Sequence, residues 1–369
     1  MNEYLKSVIL TTIIFFAAIF VVAYPHPGGM HTVEQIEFVK QQLLKKNPAY
    51  LMAYNQLIQK ADSVITTRHH ANPDLSIPGF YFKPEEHRKN SLGLQNDCFS
   101  AYTCALAWQL SGKAIYAERS LYFINAWSSI NKTYSEADGP LVLCYSGGAL
   151  VMAAELMRSF RGWKNEDREH FSWWIKYVYR KAGNEIRGRT NNWGDWGRFA
   201  SSLADYYLDD EEDMAENIRL FKTDLFEKIA EDGHMIEEVK RGANGIWYTY
   251  FSLAPITATS WIILNASGEN LFRYERNNKS MKKALDYLLY FQQRPSEWTW
   301  FKDPRTGLKG DKYGCWPANL IEAMSGIFKD PAFDKFLTPL RPLVYAQHDF
   351  AWVYPTLMPL SLNYHTEKK

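Results

Sequence analysis

The chain has 369 residues and a formal net charge of +1, which excludes the strongly basic face that nucleic-acid binding requires. A near-neutral enzyme can still take an acidic polymer as its partner, provided that basic side chains converge in one cleft. Four cysteines (Cys98, Cys104, Cys144, Cys315) are too few for a disulfide scaffold and lack CxxC metal spacing; one bridge, with Cys144–Cys315 as candidate, and buried free thiols are both open readings.

In chain order the first element is an export signal. Lys6 precedes the largely apolar run Val8 to Val22, which ends in the small-residue cleavage pattern Val21-Val22-Ala23. The run is short for a membrane span, and proline-rich polar sequence succeeds it. Residues 1–23 therefore read as a secretory signal peptide, an uncleaved N-terminal anchor being the alternative. The expectation is a periplasmic or secreted protein, with no stable membrane insertion after cleavage and one domain over 24–369.

Helical periodicity dominates the rest of the chain. Thr32 with Gln35 forms a capping-box pattern ahead of Val33, Ile36, Phe38 and Val39. Helices are predicted from Pro48 to Ile65, Asp97 to Leu110 (ended by Gly112) and Ala114 to Ile130. Others cover Gly148 to Phe160, Glu166 to Ala182, Asn192 to Leu208 and Glu211 to Ile229. The last three run from Tyr250 to Leu264, Lys279 to Phe291 and Pro317 to Ile327. Between Ile65 and Asn96 a long connection carries Pro73, Pro78, Gly79, Pro84 and Gly93, with His69, His70 and His87. Such a loop, over 66–95, reads as a lid above a cleft or as a solvated excursion. The acidic run Asp209 to Asp213 reads as a surface turn. Helices of about 12–20 residues joined by short loops suggest stacked helical hairpins. This makes the chain all-α: an (α/α) toroid or incomplete barrel, with an open solenoid as the alternative.

Several segments resemble the alginate lyase family of polysaccharide lyases. They are Tyr24-Pro25-His26-Pro27-Gly28-Gly29-Met30-His31-Thr32, the paired-helix stretch Ala101 to Trp127, Asn191-Asn192-Trp193-Gly194-Asp195-Trp196, and Arg241 through Tyr250. The resemblance implies an (α/α) toroid and metal-independent elimination from a uronate polymer. It places Asn192 on the family's carboxylate-binding Asn, Arg241 on its active-site Arg and Tyr248 on its catalytic Tyr. One departure stands out: the best-known alginate-cleaving branch has His where this chain has Trp193.

The residue types suit that chemistry. β-Elimination removes the C5 proton of a uronate and expels the 4-linked sugar oxygen. The enzyme must neutralise the carboxylate, accept the C5 proton and protonate the leaving oxygen. Asn192 offers an amide N–H and Arg241 a bidentate cation. Tyr248 transfers protons, its phenolate favoured by Arg241 and by the nearby helix start. It serves as base and acid if both reacting groups lie on one face; otherwise a second group is needed, with His234 first and His87 and His348 as rivals. Asn191, Trp193, Trp196, Tyr250 and His87 are the candidate substrate-binding residues. Plain structural roles compete for each: Asn192 as a helix cap, Tyr248 and the tryptophans as core, Arg241 as a surface charge.

Two other classes compete. A glycoside hydrolase on the same toroid would need opposed carboxylates, from among Asp195, Asp232, Glu237 and Glu238. A non-catalytic carbohydrate-binding or scaffold protein would need none of this chemistry. No phosphate loop, nucleophile elbow or HExxH motif is present, so neither a metal nor another cofactor is expected.

Overall fold

The computed structural model describes residues 23–307, 316–344 and 351–365. Among them the chain forms thirteen α-helices and four strands of two or three residues. The signal-peptide run, Cys315 and His348 lie outside the described residues. The capping box is present: Thr32 accepts from Gln35 N, Gln35 returns to Thr32 N at 2.8 Å, and α1 (Val33–Leu44) begins there. Asn47 and Pro48 open α2 (Pro48–Ser63). Then come α3 (Pro84–Ser111), α4 (Ala114–Ile130), α5 (Gly139–Met157) and α6 (Asn165–Trp174). A π-helical turn, Ile175–Tyr179, joins α6 to α7 (Arg180–Ile186). The remaining helices are α8 (Asn192–Leu208), α9 (Glu211–Lys228), α10 (Gly245–Ser267), α11 (Met281–Gln293), α12 (Ala318–Phe328) and α13 (Pro331–Leu337).

Packing sorts these helices into two layers. α3, α5, α8 and α10 lie side by side in series; α4 packs outside α3, α7 and α9 outside α8, and α11 outside α10. This alternation of inner and outer helices is the (α/α) toroid. Composition explains the layering. α5 and α10 are apolar all round and buried along nearly their whole length, whereas α9 and α11 carry one buried stripe and a charged outer face. α5 is long and apolar enough to cross a membrane, yet it is wholly buried inside the protein.

Three helices start well ahead of expectation. The long connection is shorter, because Pro84 with Glu85 and Glu86 makes a favourable first turn and starts α3 there. Gly93, which reads as a loop residue, lies inside α3: a Cβ there would meet the His70 side chain at 2.7 Å, so the glycine permits close packing. What remains of the connection is tied down by β1 (Asp74–Ser76), which pairs in parallel with β2 (Thr133–Ser135). α5 starts at Gly139 rather than at Gly148, and α10 at Gly245 rather than at Tyr250. Cys98, Cys104 and Cys144 are buried free thiols, which corrects the proposed Cys144 bridge.

Candidate active site

Arg241 and Tyr248 are brought together by one local turn. Arg241 precedes a 3-10 turn, Gly242–Asn244, and Tyr248 lies in the first turn of α10. Gly242 has φ +59°, a left-handed conformation that lets the chain reverse into the helix. The Arg241 guanidinium then lies 4.2 Å from the Tyr248 ring centroid.

A third residue joins them from the far loop. The Tyr81 hydroxyl is 2.7 Å from the Tyr248 hydroxyl and accepts from Arg241 Nη2 at 2.7 Å. Tyr81 is 66% exposed and Phe82 beside it 90% exposed, so this loop tip stands over the pair and faces solvent. His87 holds the loop from below: its Nδ1 lies 2.9 Å from the Pro78 carbonyl and 3.2 Å from Asp138 Oδ2. Phe80 N donates to the same Asp138 carboxylate at 2.8 Å. His87 is buried in this role, which corrects its assignment to substrate binding and to proton transfer.

Electrostatics at Tyr248 run against the sequence expectation. Burial, and then the Tyr81 phenol, raise its pKa above that of an ordinary tyrosine, and the opposing charge of Arg241 does not offset them. At rest Tyr248 is a phenol.

Beneath this cluster lies a second, fully buried one. Asn191, not Asn192, caps α8, its Oδ1 accepting from Trp193 N at 3.2 Å. Asn192 gives its backbone N–H to Glu238 Oε1 at 2.7 Å and its Nδ2 to Glu238 Oε2 at 2.8 Å. Its Oδ1 is buried without a partner. The amide expected to meet a substrate carboxylate is thus engaged by an internal one. Burial raises the Glu238 carboxyl to about 7, against the two Asn192 hydrogen bonds and the more distant Arg241 charge, which hold it down. One turn further along α8, Asp195 binds Lys228 Nζ at 2.6 Å and Ser252 Oγ at 2.5 Å.

The other predicted residues separate clearly. Trp196 has no exposed surface and packs on Tyr145, Phe199 and Phe251. Tyr250 is buried against Trp316 and accepts from Asn319 Nδ2 at 3.1 Å. Neither ring has a face left for a sugar, which corrects both assignments. Trp193 is half-buried, with the Arg189 guanidinium 4.1 Å from its ring. His234 bonds Asp232 at 2.7 Å and packs on Trp300 and Tyr287; none of its contacts reaches Tyr248. The carboxylates considered for a hydrolase are likewise committed. Asp195 and Glu238 are buried, Asp232 is on His234, and Glu237 is on Lys240 at 2.8 Å. Tyr81 and the clamping role of Glu238 were missed in the sequence. The only signal for Tyr81 was the Phe80-Tyr81-Phe82 triplet inside the Gly- and Pro-rich connection.

The fold has known relatives. Residues 44–298 match the family model described as alginate lyase. An alginate lyase from Bacteroides ovatus has the same fold, with a TM-score of 0.71 at 17% identity, covering 88% of this chain and 97% of that one. A tyrosine-to-phenylalanine variant of alginate lyase A1-III, complexed with a tetrasaccharide, gives 0.71 at 18% identity over 93% of this chain and 99% of that one. Alginate lyase A1-III from Sphingomonas species A1 gives 0.65 at 17% identity over 81% and 87%. No curated protein sequence matches. With the family match spanning well over half of its length, the chain belongs to the alginate lyase family and is a polysaccharide lyase.

Proposed function

We propose that this enzyme is exported and cleaves a uronic-acid polymer, alginate or a related polyuronate, by metal-independent β-elimination centred on Tyr248. The observation that carries the reading is the company of Arg241. Among the described residues its side chain bonds two phenols and forms no ion pair with a carboxylate. A cation held at a solvent-facing cluster without an acidic partner is suited to bind a substrate carboxylate. That contact stabilises the charge that develops when C5 loses its proton.

Tyr248 then carries both proton transfers. Its hydrogen-bond partners are Tyr81 and Arg241, and no imidazole or carboxylate contacts it among the described residues. The resting phenol first loses its proton to solvent, a step that burial opposes and the Arg241 charge favours. The phenolate then takes the C5 proton, and the C–H electron pair makes the C4–C5 double bond. The C4–O bond breaks, and the phenol returns the proton to the leaving oxygen, regenerating the phenolate. This requires the C5 hydrogen and the leaving oxygen on one face of the sugar. Asn192 acts in support: it fixes Glu238 below Arg241, leaving Arg241 as the main neutralising group.

The test is incubation of the purified mature protein, without added metal, with alginate blocks, glucuronan and glycosaminoglycans. Absorbance of the unsaturated uronate product is followed. A rise on one polymer identifies the substrate class. New reducing ends without that absorbance would overturn elimination in favour of hydrolysis.

A further inference from the structure

The segment that comes after α11 is strapped onto the turn carrying Arg241 and Tyr248. The buried Trp298 ring closes over Gly245: a Cβ there would meet Trp298 Cζ2 at 2.8 Å. Arg305 N donates to the Ala243 carbonyl at 2.7 Å. The Phe301 ring lies against Gly242, 3.8 Å from the position a Cβ would occupy. The residue next to Arg241 in the chain is therefore in contact with this strap.

The strap shows two aromatic rings to solvent. Trp300 is 42% exposed and Phe301 43% exposed, in a chain whose other tryptophans and phenylalanines mostly fill the core. Trp300 is not loose. Its Nε1 donates to Tyr287 Oη at 3.0 Å, and its ring rests on His234 with centroids 5.0 Å apart. That packing gives His234 a place: it backs the strap rather than serving Tyr248. The two rings thus have fixed backing, open surface and direct continuity with the Arg241 turn. Half-exposed aromatic rings at the rim of a polar site offer apolar area against which a ligand is desolvated.

We infer that Trp300 and Phe301 form a sugar-stacking platform for uronate residues next to the one held at Arg241. The enzyme would thereby grip a chain of several sugars rather than a single one. The inference rests on the lyase reading and adds to it a binding subsite beside the turn that carries Arg241. Its occupant is the polymer substrate, whose pyranose C–H faces stack on aromatic rings while its carboxylates stay on the polar side.

The test uses the Tyr248→Phe variant, so that substrate is not consumed. Binding of the disaccharide and the tetrasaccharide of the cleaved polymer is measured by calorimetry. Trp300→Ala and Phe301→Ala are added singly, and Trp300→Phe and Phe301→Tyr serve as stacking-competent controls, all checked by thermal unfolding. Each alanine change is expected to weaken tetrasaccharide binding about tenfold and disaccharide binding less, while the aromatic swaps retain affinity. In the Tyr248 background, the same alanine changes should raise KM on polymer more than they lower kcat. Unaltered tetrasaccharide affinity in both alanine variants would overturn the platform and leave the lyase intact. If no oligouronate binds and the unsubstituted enzyme makes no unsaturated product, the functional reading falls and the platform with it.

Discussion

Two polar clusters lie one above the other at the same end of α8 and α10, and they are built on opposite rules. In the lower one every charge is answered. Asp195 meets Lys228 and Ser252, Glu238 meets the backbone and side chain of Asn192, and Arg198 reaches Asp224 at 2.8 Å. In the upper one Arg241 is answered, among the described residues, by the rings and hydroxyls of Tyr81 and Tyr248 and by no carboxylate. The lower cluster satisfies the general demand that buried ionisable groups be paired or hydrogen-bonded. The upper cluster leaves a cation without a carboxylate partner among the described residues, at a loop tip that faces solvent. On the proposed reading, the difference separates the groups that hold the site from the groups that act in it.

Substitutions should break the two clusters in different ways. The largest loss of activity is expected on the upper side: Arg241→Ala should lower kcat/KM by about 10³-fold with little change in thermal stability, since no buried partner is stranded. On the lower side, Asp195→Asn strands the Lys228 charge and should destabilise the fold by about 3–5 kcal/mol, read as a lowered denaturant midpoint. Any activity lost there should track the unfolded fraction. If Asp195→Asn instead abolishes turnover at full stability, the division between the clusters is wrong.

Glu238 links the two and gives a smaller, pH-dependent effect. Its folded-state carboxyl titrates at about 7, above the 4.5 of a free glutamate, because burial favours the neutral form. The folded state therefore holds this proton more tightly than the unfolded chain. The stabilisation is full below about 4.5 and lost as pH rises through about 7, a change of roughly 3 kcal/mol. Glu238→Gln stays neutral, so its stability should not fall across that window. Unfolding curves of both proteins from pH 4.5 to 8 measure the difference, and parallel pH profiles would contradict it.

The sequence exposed the lower cluster's framework better than the upper cluster's geometry. α8 has the bounds Asn192–Leu208 that its spacing predicts, because it carries a clear buried stripe and an Asn cap, although the capping residue is Asn191. The start of α10 at Gly245 is hard to read from sequence because the helix is apolar all round, shows no period and opens on a glycine. Trp196 and Tyr250 fill the core rather than a binding face, a distinction sequence does not carry because burial decides which way an aromatic ring faces. Tyr81 was out of reach, since its contact with Tyr248 spans 167 positions and depends on closure of the toroid. The local pair of Arg241 and Tyr248 was legible because one turn brings them together.

Whether Tyr248 transfers protons or merely packs is decided most directly by Tyr248→Phe on the cleaved polymer, with turnover and binding measured on the same preparation. The ring contacts with Trp247 and Phe251 survive this change, and only the hydroxyl is removed. Proton transfer by Tyr248 predicts turnover lowered by about 10³–10⁴-fold with polymer affinity within a few-fold of the parent. Turnover within tenfold of the parent would contradict that role and assign the proton transfers to another group.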